Sequence, residues 1–284
     1  MKKILILIFG FLFGLSNAQT NEKSLLWKIS GKGLSQPSYL YGTIHITCDA
    51  TLPSKVKEAM NKTNQLCLEL DMDDANMQVE MMSSMMMKDG VTMQSLATAE
   101  DFKIVDEFLK KNLGFSAQLL NTVKPFMVSA MLYPKMMDCP MQSVEAELMK
   151  ISSEQNESTI GLETVTEQLN VFDAIPYKDQ MDELVKTAKS DLVRDSKELK
   201  EMLELYKSED IQAMVEFTKN SDNAMTSKFD DELLNNRNQN WISRIEKIAK
   251  ENPTFFGVGA AHLGGELGVI NLLRKYGFTV EPVH

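Results

Sequence analysis

Apolar positions along this chain follow two rhythms. Near both ends they come in short runs bounded by turn residues, the signature of strands. In the middle they recur every three to four residues, the signature of helices. Residues 24–30 (SLLWKIS), 38–44 (SYLYGTI) and 65–70 (QLCLEL) predict three strands. GKGLSQP between the first two is rich in turn formers and predicts a hairpin. Leu52-Pro53 opens a predicted helix, SKVKEAMNKTN, with proline at a start position where its missing N–H does no harm. The result is a β-α-β unit.

The far end repeats that plan. Residues 254–258 (TFFGV) predict a strand, 264–276 (GGELGVINLLRKY) an amphipathic helix stopped by Gly277, and 278–281 (FTVE) a last strand. The start of that helix would offer free N–H groups to an anion. One more strand is expected at 158–162 (STIGL). The stretch KELKEMLELYKSEDIQAMVEFTK reads as a pair of surface helices. The expected fold class is α+β: a central mixed β-sheet built from both ends of the chain and flanked by helices. A helical insertion from the middle, about 74–157 and 164–252, belongs to a single domain over 19–284.

Composition and charge narrow the picture. Residues 1–18 combine Lys2-Lys3, an apolar run from Ile4 to Leu15 and the small-residue ending Ser16-Asn17-Ala18, the pattern of a secretory signal peptide. The run falls short of the roughly 20 residues a membrane span needs. Cleavage near Ala18 is expected, leaving a secreted or periplasmic protein with no transmembrane segment; no cysteine at the cleavage point supports a lipid anchor. Loss of Lys2 and Lys3 takes the formal charge from −10 to −12. That acidity argues against nucleic-acid binding, which rests on Lys and Arg neutralising phosphates. Of three cysteines, Cys67 lies in an apolar run and is expected buried and reduced, while one disulfide plus a free thiol is open to the set.

The rare histidines bring in chemistry. Two of the three, His45 and His262, end the similar stretches YGTIH and VGAAH, and the third is the terminal His284. His45 closes the second strand, Glu69 ends LCLEL, Glu163 follows STIGL and His262 lies just past TFFGV. Four groups therefore fall at the carboxyl ends of four strands, where open α/β sheets form their crevices. If the strands are parallel, the four converge. Gly42 and Gly259 would let a neighbouring backbone or a bound group come close. Two imidazoles with carboxylates suit a divalent metal; a histidine base oriented by a glutamate needs none.

Several stretches together resemble the TraB/GumN family, which includes the animal TIKI proteases that inactivate Wnt proteins. They are SLLWKISGKGLSQPSYLYGTIHI, LPSKVKEAM, CLELDMDD, GLETVTEQLNVFDAIP, NNRNQNW and FFGVGAAHLGGELGVINLLRKYGFTVEPV. The resemblance spans nearly the whole chain after the leader, in order. It implies a metal-dependent, peptidase-like hydrolase and a fold similar to that of erythromycin-esterase and ChaN-like proteins. By motif match it points to Gly42, His45, Glu69, Glu163, Gly259 and His262, with Arg237 and Asn238 from the Arg-Asn segment. The expected cofactor is a divalent ion (Mn, Co or Zn) held by His45, His262, Glu69 and Glu163. One glutamate would be the ligand and the other the base, with Arg237 steadying an oxyanion. The expected partner is a peptide or protein substrate. Two other readings keep the same residues: a haem- or iron-binding module, and a metal-independent esterase-like hydrolase. A third is an interaction protein with an inert site.

Other features carry less. Of Met77, Met81, Met82, Met85, Met86, Met87 and Met93, positions 77, 81 and 85 with 82 and 86 beside them suggest one helical stripe, read first as core or partner packing, then as an adaptable substrate surface or a soft-metal site. Asp71, Asp73 and Asp74 lack the glycine and glutamate of a calcium loop, so Asp73 or Asp74 is expected to cap the next helix. No nucleophile elbow, His-Glu-x-x-His helix or phosphate-binding glycine loop occurs.

Overall fold

The GKGLSQP turn does close a hairpin. In the computed structural model, which describes residues 23–284, β1 (Leu26–Ser30) and β2 (Ser38–Thr43) pair antiparallel with Leu26 opposite Tyr41. The other apolar runs give β3 (Gln65–Leu70), β4 (Ser158–Glu163), β5 (Thr254–Gly259) and β6 (Thr279–Pro282). All six join one mixed sheet in the order β4-β3-β5-β2-β1-β6. The four strands that carry the candidate residues, β4, β3, β5 and β2, run parallel. This is the α+β arrangement that the apolar pattern predicts. The expected leader, residues 1–18, lies outside the described residues.

Parallel strands need crossovers, and helices supply them. The helix Ser54–Met60 links β2 to β3 and the helix Val269–Lys275 links β5 to β6. β3 is buried along its whole length, as its continuous apolar run requires. Its core includes Leu66, Cys67, Phe255, Phe256 and Trp241. Helices between β3 and β4 and between β4 and β5 build a second apolar cluster, with Met93, Leu109, Val128, Met181 and Leu184 inside. No strand residue contributes to it. Cys48 and Cys139 form a disulfide, and Cys67 is free and buried; burial pushes its thiol pKa up, so it behaves as a small apolar side chain.

Some local expectations are corrected. The helix predicted over 264–276 begins at Val269, because Gly265 takes φ +83° and a turn donates Gly268 N–H to Gly265 C=O. Seven residues remain, and the turn replaces the anticipated anion-binding start. The helix after Pro53 ends at Met60 instead of running through NKTN, as Asn61–Asn64 turn into β3. Neither Asp73 nor Asp74 caps the next helix, which is Met77–Ser84 with Asn76 at its start and no side-chain cap; Asp74 instead accepts from Asn76 N–H. The methionine stripe is broken because the helix stops at Ser84. Met77 packs on Leu70, Val165 and Leu169; Met87 and Met93 enter the helical core; Met82 and Met86 face solvent.

Candidate functional site

The sheet opens where the candidates meet. β3 and β5 pair only through Cys67 opposite Phe256, although β5 continues beside β2 to Gly259. Glu69 lies in the gap, and its Oε1 accepts the Gly259 N–H at 2.8 Å. A Cβ at Gly259 would stand 3.2 Å from that oxygen. A Cβ at Gly42 would meet Leu263 Cδ1 at 2.7 Å. Both glycines therefore permit the close approaches that the sequence suggests.

Glu163, the last residue of β4, lies opposite Leu70 of the parallel β3, the residue after Glu69. Arg237, from the helix Asn236–Glu251, reaches both. Its Nη2 contacts Glu69 Oε2 and lies 2.6 Å from Glu163 Oε1, while Nε is 3.1 Å from that Glu163 oxygen. Nη1 donates to Leu233 C=O at 2.9 Å and faces His262 Nε2 at 3.1 Å. A guanidinium has five N–H groups, and these contacts engage all five. Trp241, one turn on from Arg237, donates to Glu163 Oε2 at 3.1 Å, and its ring lies 4.5 Å from that of His262. Gln168 donates to both glutamates at 3.1 Å.

Asn238 fixes the state of His262. Its Nδ2 donates to Leu267 C=O at 2.9 Å, which leaves Oδ1 facing His262 Nδ1 at 2.6 Å. The network therefore assigns the proton to Nδ1 and the lone pair to Nε2, turned to Arg237. Burial lowers the His262 pKa to about 3, with the charge of Arg237 acting in the same direction and Glu69 against it. The ring is neutral at ordinary pH. Burial raises the Glu69 pKa, but the positive charge of Arg237 and His45 and the Gly259 N–H act against it and hold the carboxylate below the ordinary glutamate value.

His45 stands apart. It is 66% exposed, and its Nδ1 pairs with Glu145 Oε1 at 2.7 Å rather than with the buried group. The Glu145 carboxylate at that short distance raises its pKa above the ordinary histidine value. Glu69 and Arg237 are near enough for their charges to act on it. Of the residues singled out in the sequence, Glu69, Glu163, Arg237, Asn238 and His262 thus form one connected network, and His45 flanks it. Glu145, Gln168 and Trp241 were not anticipated. Glu145 opens an amphipathic helix (Val144–Glu154) whose acidic first turn reads like any solvated one, and only its burial sets it apart. Among the described residues, no three His, Cys, Asp or Glu side chains are placed to hold a metal ion together.

Comparison with known proteins bears on this arrangement. The model of the TraB/PrgY/gumN family matches residues 25–282. The chain is 20% identical to a protein named metalloprotease TIKI2 from Danio rerio, with 93% of this chain and 62% of that protein aligned. It is 20% identical to a metalloprotease TIKI homolog from Nematostella vectensis, covering 94% of this chain and 69% of the relative. It is 21% identical to metalloprotease TIKI2 from Xenopus tropicalis, covering 94% and 61%. The chain thus spans roughly two thirds or less of these relatives' length. No solved structure matches.

Proposed function

Because the chain belongs to the TraB/PrgY/gumN family, we propose that it is an exported hydrolase of peptide bonds, working from the crevice at the carboxyl ends of β2, β5, β3 and β4. One observation carries the proposal: Glu69, Glu163, Arg237 and His262, from four separate elements, meet in a single buried network beside His45. Burying that many polar groups costs free energy that pairing only offsets, and clusters of this kind mark candidate functional sites. The relatives named metalloproteases favour a peptide or protein substrate.

In this reading His45 is the solvent-facing group that carries a proton to or from the substrate at Nε2, since Nδ1 is held by Glu145. Arg237 stabilises developing negative charge through its field rather than through a free N–H, because all five are engaged. Glu69 and Glu163 clamp it, and His262 closes the shell.

The relatives' names call for a divalent metal, and the donor types are suitable, but the residues as placed do not fit one. Glu69, Glu163 and His262 Nε2 all turn toward the guanidinium of Arg237, which holds the position and the charge a cation would take. The haem-binding alternative loses ground for the same reason: His262 presents its free nitrogen to Arg237 inside a shell with 4% residue exposure.

The test is cleavage of a diverse peptide library followed by mass spectrometry. His45→Ala is expected to lower turnover about 100-fold or more. Indifference of cleavage to both His45→Ala and His262→Ala would reject a hydrolase site here. Exhaustive chelation supplies a second arm. Survival of activity makes Arg237 the cation in use; loss that Mn, Co or Zn restores means that Arg237 gives up its place.

A further inference from the structure

His45 is the most exposed of the candidate side chains, yet its surroundings are tightly laced. The segment carrying it and the segment preceding Glu145 form an antiparallel bridge at Thr47 and Gln142, which exchange backbone hydrogen bonds of 3.0 and 2.8 Å. Gln142 Oε1 also accepts the Ala50 N–H at 3.0 Å, and Val144 N–H reaches Ile44 C=O at 3.3 Å. Beside these contacts the Cys48–Cys139 disulfide joins the two segments covalently, across 91 positions of sequence. His45 lies three positions before one cysteine and Glu145 six positions after the other. Glu145 is 8% exposed, and Ser143 Oγ donates to its Oε2 at 2.6 Å. The carboxylate is the fixed member of the pair and the imidazole is the presented one.

We propose that Glu145 is a positioning residue, holding the His45 ring through the 2.7 Å ion pair at Nδ1 so that the Nε2 edge faces the crevice, and that this dyad is built only once the Cys48–Cys139 bridge has closed. The role given to His45 rests on the hydrolase reading; the geometry of the dyad does not. Closing the bridge removes two electrons and two protons from the two thiols and passes them to a partner disulfide, which leaves as a dithiol. The hydrogen bonds of Glu69, Glu163, Arg237 and His262 run among themselves and to Gln168, Leu233, Trp241, Asn238 and Gly259, none of which lies on the two bridged segments. A chain with reduced cysteines therefore has Glu69, Glu163, Arg237 and His262 in place and lacks an ordered His45. Such a protein is switched on by reaching an oxidising compartment.

Three histidines make the test direct, and it needs no substrate. In the oxidised chain labelled with 15N-histidine, His45 is expected to show a solvent-protected Nδ1–H proton, assigned by its loss in His45→Ala. The Nδ1–H of His262, held by Asn238, is the internal control for the folded site. Glu145→Ala is expected to abolish the His45 signal and spare that of His262. Glu145→Gln, which keeps an acceptor, is expected to retain it in weakened form. The double variant Cys48→Ser, Cys139→Ser, and the wild-type chain reduced with a dithiol, are expected to lose the His45 signal alone. Persistence of the signal in Glu145→Ala overturns the positioning role. Persistence without the bridge, or simultaneous loss of both histidine signals, overturns the requirement for the disulfide, in the second case by making it a general staple. A failed peptide-cleavage assay would leave all of these outcomes unchanged.

Discussion

A guanidinium that spends every N–H inside a shell of two carboxylates, a carbonyl and an imidazole cannot be removed quietly. Arg237→Met leaves Glu69 and Glu163 at low exposure with no guanidinium, answered by the neutral donors of Gln168, Trp241 and the Gly259 N–H. Breaking a buried ion pair from one side costs about 3–5 kcal/mol, because the surviving charge has lost its compensation. Urea unfolding is expected to show a loss of that size, and Arg237→Lys is expected to recover little of it: three ammonium donors on one atom cannot copy a planar fork. A loss under about 1 kcal/mol would mean that water reaches the carboxylates. At this scale the sequence was informative where chemistry sat on strand ends. His45, Glu69, Glu163 and His262 stand out because apolar runs stop beside them. Gln168, Trp241 and Glu145 do not, because each sits on a helix whose buried side depends on tertiary packing that no local pattern encodes.

Segments of the helical half are tied by an ion pair of their own. Lys124, 1% exposed, begins the helix Pro125–Ala130 and contacts Asp173 Oδ1 at 2.6 Å. Asp173 ends the helix Val165–Ala174, the one that also carries Gln168. Lys88 and the Tyr177 hydroxyl hold the same carboxylate at 2.7 and 3.0 Å. Burial raises the Asp173 pKa, but these three donors outweigh it and bring it below the ordinary aspartate value. A carboxylate whose folded pKa is depressed adds stability that is present above its unfolded pKa and lost as pH falls through the folded one. Wild-type stability is therefore expected to drop below about pH 4. In Lys124→Met that drop should shrink, on top of a loss of about 3–5 kcal/mol at neutral pH. Chemical denaturation of both proteins at several pH values checks the sign; an unchanged acid slope in the variant would assign the effect to other carboxylates. The elements themselves were readable to different degrees. Six strands announced themselves as apolar runs with turn residues at their borders. Helix ends were less legible, since Gly264-Gly265 reads equally as a helix start or as a turn, and the Cys48–Cys139 pairing needed the fold to bring positions 91 apart together.

Two apolar cores in one chain raise the question of whether they open together. The sheet core gathers residues from both ends of the sequence, so its contacts form only after long loops close. The helical core is assembled from neighbours between Met87 and Leu192 and needs no strand. β3 and β5 lie in the middle of the sheet with their backbones fully paired at Gln65–Cys67 and Thr254–Phe256. Regions with buried ladders on both sides are the last to open. Amides at 65–67 and 254–256 are thus expected to exchange most slowly with solvent, and those of the helices Ala99–Leu113 and Tyr177–Ser190 sooner. The Cys48–Cys139 bond crosses between the two halves, since Cys48 follows β2 and Cys139 lies among the insertion helices. A link closing so long a loop contributes about 2–4 kcal/mol. Reducing it should therefore speed exchange in the helices more than in the central strands, widening the difference between them. Mass spectrometry of hydrogen exchange, with and without a dithiol, reads this directly. Equal acceleration in both halves would show that the sheet and its insertion unfold as one cooperative unit, with the bridge inside that unit rather than between two.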